Sequence, residues 1–391
     1  YYTPIMILLS GLLFIIPEIV MGKDFNHWLQ QSITLLVIAC PCALVISTPV
    51  AIYAAIGNAS AKGLLIKGGK YLEAMASIKV IALDKTRTIT FGQPIVSDIV
   101  PLKGVSLEEL LACTAGAEMF SEHPLAQAIV DACRKNGFEP HKTEAFKSIM
   151  GKGAIAQCLV CEDEKIYLGK LDFIKEYNKT DREAEEIVNK LSSQGKTSVV
   201  VSFGKGVAGI IGLTDEIKHD SAESLKEISA MNIDLVLLSG DNDKAANYVS
   251  QQVGIKKSYG NMLPENKAEK INELLQQYGK VAMVGDGVND TPAFAQSTVG
   301  IAMGAAGSDT AIETANIALM NDKLSLIPFL IRLSKKTIAT IRINTAGAIG
   351  VKLLFIILAF TGLSNLVIAI AADVGVTLVV ILISLNLMKF K

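Results

Sequence analysis

The sequence predicts a membrane α-helical protein with an α/β head, on three observations. Half of its 391 residues are apolar and only 19% are charged, against roughly 25% in an ordinary soluble chain, and the mean hydropathy is +0.41. The apolar residues gather at the two ends. Between them, short apolar, strand-like runs alternate with charged amphipathic segments, the pattern of a mainly parallel sheet covered by helices. Thirty-seven basic residues against 38 acidic ones leave a net charge of -1, so no nucleic-acid partner is expected. Hydrophobicity this high also excludes a disordered chain.

The elements follow in order. Ile5 to Val20 and Leu29 to about Ala55 make one apolar pair, and Ala346 to Phe360 and Leu366 to Leu385 make another across the link Thr361 to Asn365. About 20 apolar residues cross a bilayer, so four transmembrane helices in two hairpins are expected, the first interrupted by Pro17 and Glu18. Lys62, Lys67, Lys70, Arg332, Lys335, Lys336, Arg342, Lys389 and Lys391 flank one side of these runs, and Lys23 the other. Positive flanks stay inside, which predicts a multi-pass membrane protein with a cytoplasmic head. Six cysteines beside a reducing compartment are not expected to pair as disulfides. Residue 1 is Tyr, so the natural chain is expected to begin earlier.

In the middle, Val80–Leu83, Val199–Val201, Leu235–Leu238 and Val281–Val284 read as strands, and Asp181–Leu191 and Glu265–Gln277 as helices. Three of these strands end in polar motifs: Asp84-Lys85-Thr86-Arg87-Thr88, Ser239-Gly240-Asp241 and Gly285-Asp286-Gly287-Val288-Asn289-Asp290. Ligands of parallel sheets bind beyond the carboxyl ends of strands, so the three can converge on one site. A carboxylate nucleophile, a hydroxyl, a lysine and further carboxylates suit phosphoryl transfer through an aspartyl phosphate with Mg2+.

These residues resemble the heavy-metal branch of P-type ATPases, in which Asp84-Lys85-Thr86-x-Thr88 matches the phosphorylation signature and residues 285–290 the hinge motif. The resemblance implies a haloacid dehalogenase-like, Rossmann-type phosphorylation domain in which Asp84 accepts the γ-phosphoryl of ATP, next to Lys85. It implies that Asp84, Asp286 and the Thr86 carbonyl hold Mg2+. Thr214, beside Asp215, and Ser239, Gly240 and Asp241 would contact phosphate, Lys267 would stabilise its charge, and Asn289 and Asp290 would order the site. One departure stands out: the family has Gly where this chain has Arg87, which puts turnover in question.

An insertion over residues 96–208 carries Glu118, Ser121-Glu122-His123-Pro124, Gly151-Lys152-Gly153 and Gly169. It resembles the α+β nucleotide-binding domain of the same branch, where His123 would lie on the adenine ring, Glu118 bind its edge, and Gly151, Gly153 and Gly169 admit the phosphates. Cys158 and Cys161 have C-x-x-C spacing with no second pair following, and read as plain strand and loop residues.

In the membrane, Cys40-Pro41-Cys42 sits within the second apolar run. Proline removes a helical hydrogen bond and opens carbonyls, and thiolates there are ligands for soft or borderline cations. Lys352 and Asp373 stand 11 residues before and 10 after the hairpin midpoint near residue 363, hence at one depth, where ionisable residues are costly and functional. Cys-Pro-Cys marks the heavy-metal branch. Asn344 to Lys352 and Ala372-Asp373-Val374-Gly375 resemble its zinc-, cadmium- and lead-exporting members, whereas copper(I) exporters carry Asn, Tyr, Met and Ser there. The expected metal set is Cys40, Cys42 and Asp373, with Lys352 as a built-in counter-ion.

The domain expectation is a membrane hairpin over 1–57, a phosphorylation domain over 58–95 and 209–340 interrupted by the nucleotide-binding domain at 96–208, and a second hairpin over 341–391. The function implied is ATP-driven export of Zn2+, Cd2+ or Pb2+ across a plasma membrane, with lipid, ATP and metal cations as partners. The alternatives are a Cu+ exporter and a non-pumping metal-binding remnant. No Thr-Gly-Glu occurs in the chain. The resemblance therefore covers the carboxy-terminal half of the family's architecture, without its actuator domain, and a complete transport cycle is not expected of this half alone.

Overall fold

The computed structural model describes residues 2–21, 25–102, 104–121, 123–149, 151–161, 165–178, 182–204, 206–287, 290–304, 309–361, 363 and 365–391. Two compact units result, residues 1–77 with 328–391, and residues 78–327.

The first unit is helical: Tyr2–Met21, Phe25–Ala39, Cys42–Ala61, most of Leu326–Phe360, and Leu366–Leu385. Among the described residues three stretches are long and apolar enough to cross a membrane, Phe25–Ala61, Leu326–Phe360 and Leu366–Lys389. This corrects the expectation of four. In the first helix, Tyr2–Met21, the apolar stretch among the described residues is Pro4–Ile16.

Phe25–Ala61 is not one continuous helix, because it breaks at Cys40-Pro41 and Cys42 starts the next helix. Pro41 has no N–H to give, and the Cys40 N–H turns to the Val37 carbonyl at 3.2 Å. Polar pairs join the helices. Ser10 and Ser32 lie Oγ to Oγ at 2.7 Å, and each hydroxyl also reaches the other's carbonyl at 2.9 Å. The Asn58 amide donates to the carbonyls of Leu387 and Phe390, both at 2.8 Å, and Asn344 donates to Ser384 Oγ at 3.0 Å. Around the first of these, Met6, Leu13, Leu35, Ala39 and Ala359 form an apolar cluster.

The second unit holds two sheets. Six parallel strands run in the order Ile317–Leu319, Val299–Ala302, Val281–Gly285, Val80–Asp84, Asp234–Leu238, Lys257–Tyr259. Val80–Asp84 is buried at every position, which is why it reads as a continuous apolar run. Its neighbours are in register, with Asp84 beside Leu238 and Leu83 beside Val284, so three strand ends finish side by side.

After Asp84 the chain leaves this sheet and builds an antiparallel one in the order Ile95–Pro101, Gly206–Thr214, Thr197–Phe203, Lys165–Gly169, Gly153–Cys158, Thr143–Ile149. Side chains alternate between its faces. Val199 and Val201 pack with Leu110, Leu111 and Ile129 from helices Leu107–Glu118 and Pro124–Lys135, while Val200 packs with Phe173, Ile174 and Ala184 from Leu171–Tyr177 and Arg182–Ser193. Helix Leu107–Glu118 starts where Ser106 Oγ accepts the Glu109 N–H at 3.1 Å, a hydroxyl cap followed by two acidic residues in the first turn.

Candidate functional site

Asp84 ends the central strand and is nearly buried. Lys267, from helix Pro264–Tyr278, donates to Asp84 Oδ1 at 2.5 Å and to Asp290 Oδ1 at 2.8 Å. Burial opposes the ammonium charge, yet the two carboxylates outweigh it and hold Lys267 above the ordinary lysine range. Asp290 is pushed up to about 7, first by burial and then by the charge of Asp84, against the pull of Lys267. Among the described residues its second oxygen, Oδ2, is buried with no hydrogen-bond partner. A buried carboxylate oxygen beside a second carboxylate is donor chemistry that fits a hard cation.

Lys85 turns the other way and makes an ion pair with Asp241. Burial is the largest influence on Lys85 and lowers its pKa, but Asp241, Asp215 and Asp84 together raise it. Ser239 is buried, and its Oγ accepts the Asp241 N–H at 3.1 Å, which shapes the turn that presents Asp241. Asp215 clamps the segment after Asp84: Thr90 Oγ1 donates to its Oδ2 at 2.6 Å and the Gly92 N–H to its Oδ1 at 2.9 Å. Thr214, the last residue of its strand, therefore stands next to this clamp. Asp286 directly follows the strand Val281–Gly285. Thr86 is extended at φ -72° and ψ 132°. Asn289 lies outside the described residues.

Arg87 adopts φ 57°, the left-handed conformation that suits Gly and strains an L side chain. Its stem lies over Gly92, where an added Cβ would fall 2.1 Å from Arg87 Cγ. The side chain is exposed. Its carbonyl accepts from Lys218 Nζ at 2.7 Å, and the buried Lys218 also binds Asp322 at 2.7 Å. Sequence reasoning missed Lys218, since a lysine in a loop carries no signal until the carbonyl and carboxylate it bridges are known.

A cavity of about 340 Å3 opens on the antiparallel sheet and is lined by Glu118, His123, Gly151, Gly153 and Gly169, with Asp241 at its edge. The Leu125 N–H donates to His123 Nδ1 at 3.2 Å, capping helix Pro124–Lys135. With Nδ1 accepting, the neutral ring carries its proton on Nε2. Glu118 is pushed up to about 7 by burial, opposed by a hydrogen bond to Ser121. Gly153 and Gly169 are paired across their strands, and a Cβ on either would meet a carbonyl oxygen, of Leu168 at 2.1 Å or Lys152 at 2.4 Å. Strand crowding alone thus demands glycine at both. Gly151, at φ +72° with nothing within 4 Å of an added Cβ, is the one whose surroundings are open.

In the membrane unit, Cys40 Sγ and Cys42 Sγ are 2.7 Å apart across the helix break. Lys352 Nζ donates to the Ile38 carbonyl at 2.9 Å and to the Cys40 carbonyl, and lies 3.3 Å from Asp373 Oδ1. The lysine thus takes up carbonyls at the Pro41 break, while Thr377 donates to the Asp373 carbonyl at 2.8 Å. Cys158 and Cys161 are not isolated strand and loop residues: together with Cys113 and His141 they form a close group of metal-ligand types. No sequence spacing linked Cys113 and His141 to them.

The chain is 41% identical over 397 residues to a cadmium-transporting ATPase of Staphylococcus aureus, covering all of this chain and 54% of that protein. It is 37% identical over 389 residues to a zinc/cadmium/lead-transporting P-type ATPase of Escherichia coli, covering 99% and 52%. A crystal structure of a zinc-transporting PIB-type ATPase in the E2.Pi state matches with a TM-score of 0.79 at 36% identity, over 99% of this chain and 62% of that one. The chain spans about half the length of the curated relatives it matches. Residues 78–298 match the haloacid dehalogenase-like hydrolases. The chain belongs to the haloacid dehalogenase-like hydrolase family, and over its whole length it is similar to heavy-metal P-type ATPases.

Proposed function

We propose that this chain supplies the catalytic head and the ion pathway of an ATP-driven exporter of Zn2+, Cd2+ and Pb2+ in a plasma membrane, with the head on the cytoplasmic side. The observation that carries it is the membrane cluster: two cysteine sulfurs 2.7 Å apart, with Asp373 held by a lysine that also binds the carbonyls beside them. Two sulfurs with one carboxylate oxygen suit a borderline divalent cation better than Cu+, which favours sulfur alone. That ion is the cargo. Its arrival displaces Lys352 from Asp373, and Lys352 neutralises the carboxylate again after release.

The chemistry falls to the head, with residues 58–95 and 209–340 as phosphorylation domain and 96–208 as nucleotide-binding domain. ATP enters the cavity, adenine against His123 and Glu118, phosphates toward Gly151 and Asp241. An Asp84 carboxylate oxygen attacks the γ-phosphorus, the bond from that phosphorus to the bridging oxygen breaks, and ADP departs with the electron pair. Lys267 neutralises the nucleophile before transfer and the phosphoryl oxygens after it. Lys85 holds Asp241, Asp215 holds the loop, and Thr214 and Ser239 lie at the neighbouring strand ends. Asp84, Asp286 and the Thr86 carbonyl are all hard oxygen donors, and with the open Asp290 oxygen they fit Mg2+. When bound, that ion would offset the charge of the phosphates.

The test is transfer of label from γ-labelled ATP to the membrane-inserted protein, followed by hydroxylamine. Acid-stable, hydroxylamine-sensitive label that requires Zn2+ or Cd2+ and is lost in Asp84→Asn and Asp373→Ala is the expected result. Stimulation by Cu+ alone would favour the copper reading. No label under any cation would leave the non-pumping reading.

A further inference from the structure

The antiparallel-sheet half of the head contains a second group of ligand-type side chains that phosphoryl transfer does not use. Cys113 lies in helix Leu107–Glu118, His141 just before strand Thr143–Ile149, Cys158 at the end of strand Gly153–Cys158, and Cys161 three residues further on. One donor atom from each lies within 4.8 Å of all the others. Cys113 Sγ is 3.0 Å from Cys161 Sγ and 3.8 Å from Cys158 Sγ. His141 Nδ1 is 3.3, 3.7 and 3.5 Å from the sulfurs of Cys113, Cys158 and Cys161.

Those lengths have a meaning. A tetrahedral zinc with bonds of about 2.3 Å to sulfur and about 2.0–2.1 Å to nitrogen sets its ligand atoms about 3.8 Å apart for two sulfurs and about 3.6 Å for sulfur and nitrogen. The group already has nearly that size. Cysteines in a core are by default small apolar packing residues, and Cys133, in the same core, behaves so, its sulfur donating to the Phe138 carbonyl at 3.4 Å and to no other atom of the described residues. Packing does not account for one imidazole nitrogen facing three sulfurs at once. Backbone bonds hold this arrangement: the His141 N–H donates to the Ala112 carbonyl at 2.9 Å, the Leu159 N–H to Lys142 at 3.0 Å, and Thr143 Oγ1 to the Gly116 carbonyl at 2.7 Å. Cys113 and Cys158 are fully buried, Cys161 and His141 half-buried, so an ion would be nearly enclosed yet reachable from one side.

We propose that Cys113, His141, Cys158 and Cys161 form a Cys3His site for one borderline-soft divalent cation of the Zn2+ and Cd2+ class, distinct from the cysteines of the membrane. Binding releases three thiol protons to solvent and leaves the imidazole neutral, and no electrons move. The closed four-ligand set has no open position, so the ion is structural. It ties the helix that ends at Glu118 to the strand that starts at Gly153, two walls of the nucleotide cavity. None of its ligands belongs to the transport reading, so the two stand or fall separately.

The experiment uses the whole chain in detergent with Cys40→Ala and Cys42→Ala, which removes the membrane sulfurs. Equilibrium dialysis against Zn2+ with a competing chelator should leave one zinc per chain, and adding Cys113→Ser and Cys161→Ser should remove it. No retained zinc, or zinc unaffected by those serines, overturns the site. X-ray absorption at the zinc edge on the Cys40→Ala/Cys42→Ala chain needs no change to the site itself: a shell of three sulfurs and one nitrogen is expected, and an oxygen-dominated shell overturns it. Recovery of a Cys113–Cys161 disulfide from chain purified under reductant, in place of bound metal, also overturns it.

Discussion

Arg87 bears a backbone strain that its neighbours accommodate. At φ 57° an L residue costs roughly 1 kcal/mol relative to Gly, and the arginine stem fits only because Gly92 offers no Cβ beneath it. Arg87→Gly is expected to stabilise the head by about 1 kcal/mol in denaturant titration and to leave labelling of Asp84 at least as fast. Gly92→Ala should do the reverse. Lys267 is the opposite case, a charge its neighbours require. Lys267→Met leaves Asp84 and Asp290 facing each other, so a loss of about 3–5 kcal/mol is expected, partly restored by millimolar Mg2+ in thermal melts. Glu118 gives the pH dependence. Its carboxyl titrates near 4.5 when exposed and near 7 when folded, so the folded head holds an extra proton between those values. Stability therefore falls as pH rises through that window, by on the order of 1–3 kcal/mol. Glu118→Gln should raise the melting temperature at pH 8 by a few degrees and change little at pH 4.5, measured by calorimetry.

At the scale of elements, the break at Cys40-Pro41 does more than bend a helix. It exposes the Ile38 and Cys40 carbonyls that Lys352 then occupies. Pro41→Ala is expected to join the two helices, deprive Lys352 of those acceptors and reduce Zn2+-stimulated phosphorylation at least tenfold, with ATP-analogue binding retained in fluorescence titration. The strand ends and the break were legible in the sequence because each depends on a local pattern: buried strands read as apolar runs, and proline cannot donate. The membrane count was not. Sixteen largely apolar residues from Ile5 to Val20 look like a span in the sequence, whereas the apolar stretch of that helix among the described residues is Pro4–Ile16. Pairings across distance were hidden as well. Lys218 to Arg87 and Cys113 to His141 depend on which elements the sheets bring together, and no spacing encodes that.

Across the whole molecule, the residues proposed for chemistry and for cargo lie in different compact units, Asp84 in residues 78–327 and Cys40, Cys42, Lys352 and Asp373 in residues 1–77 with 328–391. Asp84→Asn is expected to abolish phosphorylation while the membrane cysteines still take up Cd2+, read as the part of the sulfur-to-cadmium absorption that Cys40→Ala/Cys42→Ala removes. Lys352→Ala should leave Asp84 able to accept phosphate from inorganic phosphate. The central strand also governs how the head is made. Val80–Asp84 pairs on one side with Asp234–Leu238 and on the other with Val281–Gly285, partners about 150 and 200 residues downstream. A ribosome thus delivers the core of the parallel sheet long before anything exists to cover its edges. Only the antiparallel sheet, whose first and last strands Ile95–Pro101 and Gly206–Thr214 pair together, can finish in the interval. By closing first it brings residue 84 near residue 234 and removes most of the loop-closure entropy from the later step. Most of the cavity wall, from Glu118 to Val199, is thereby in place before Gly240 and Asp241 complete it, and a lesion in the insertion is expected to appear as a failure of the other sheet to form.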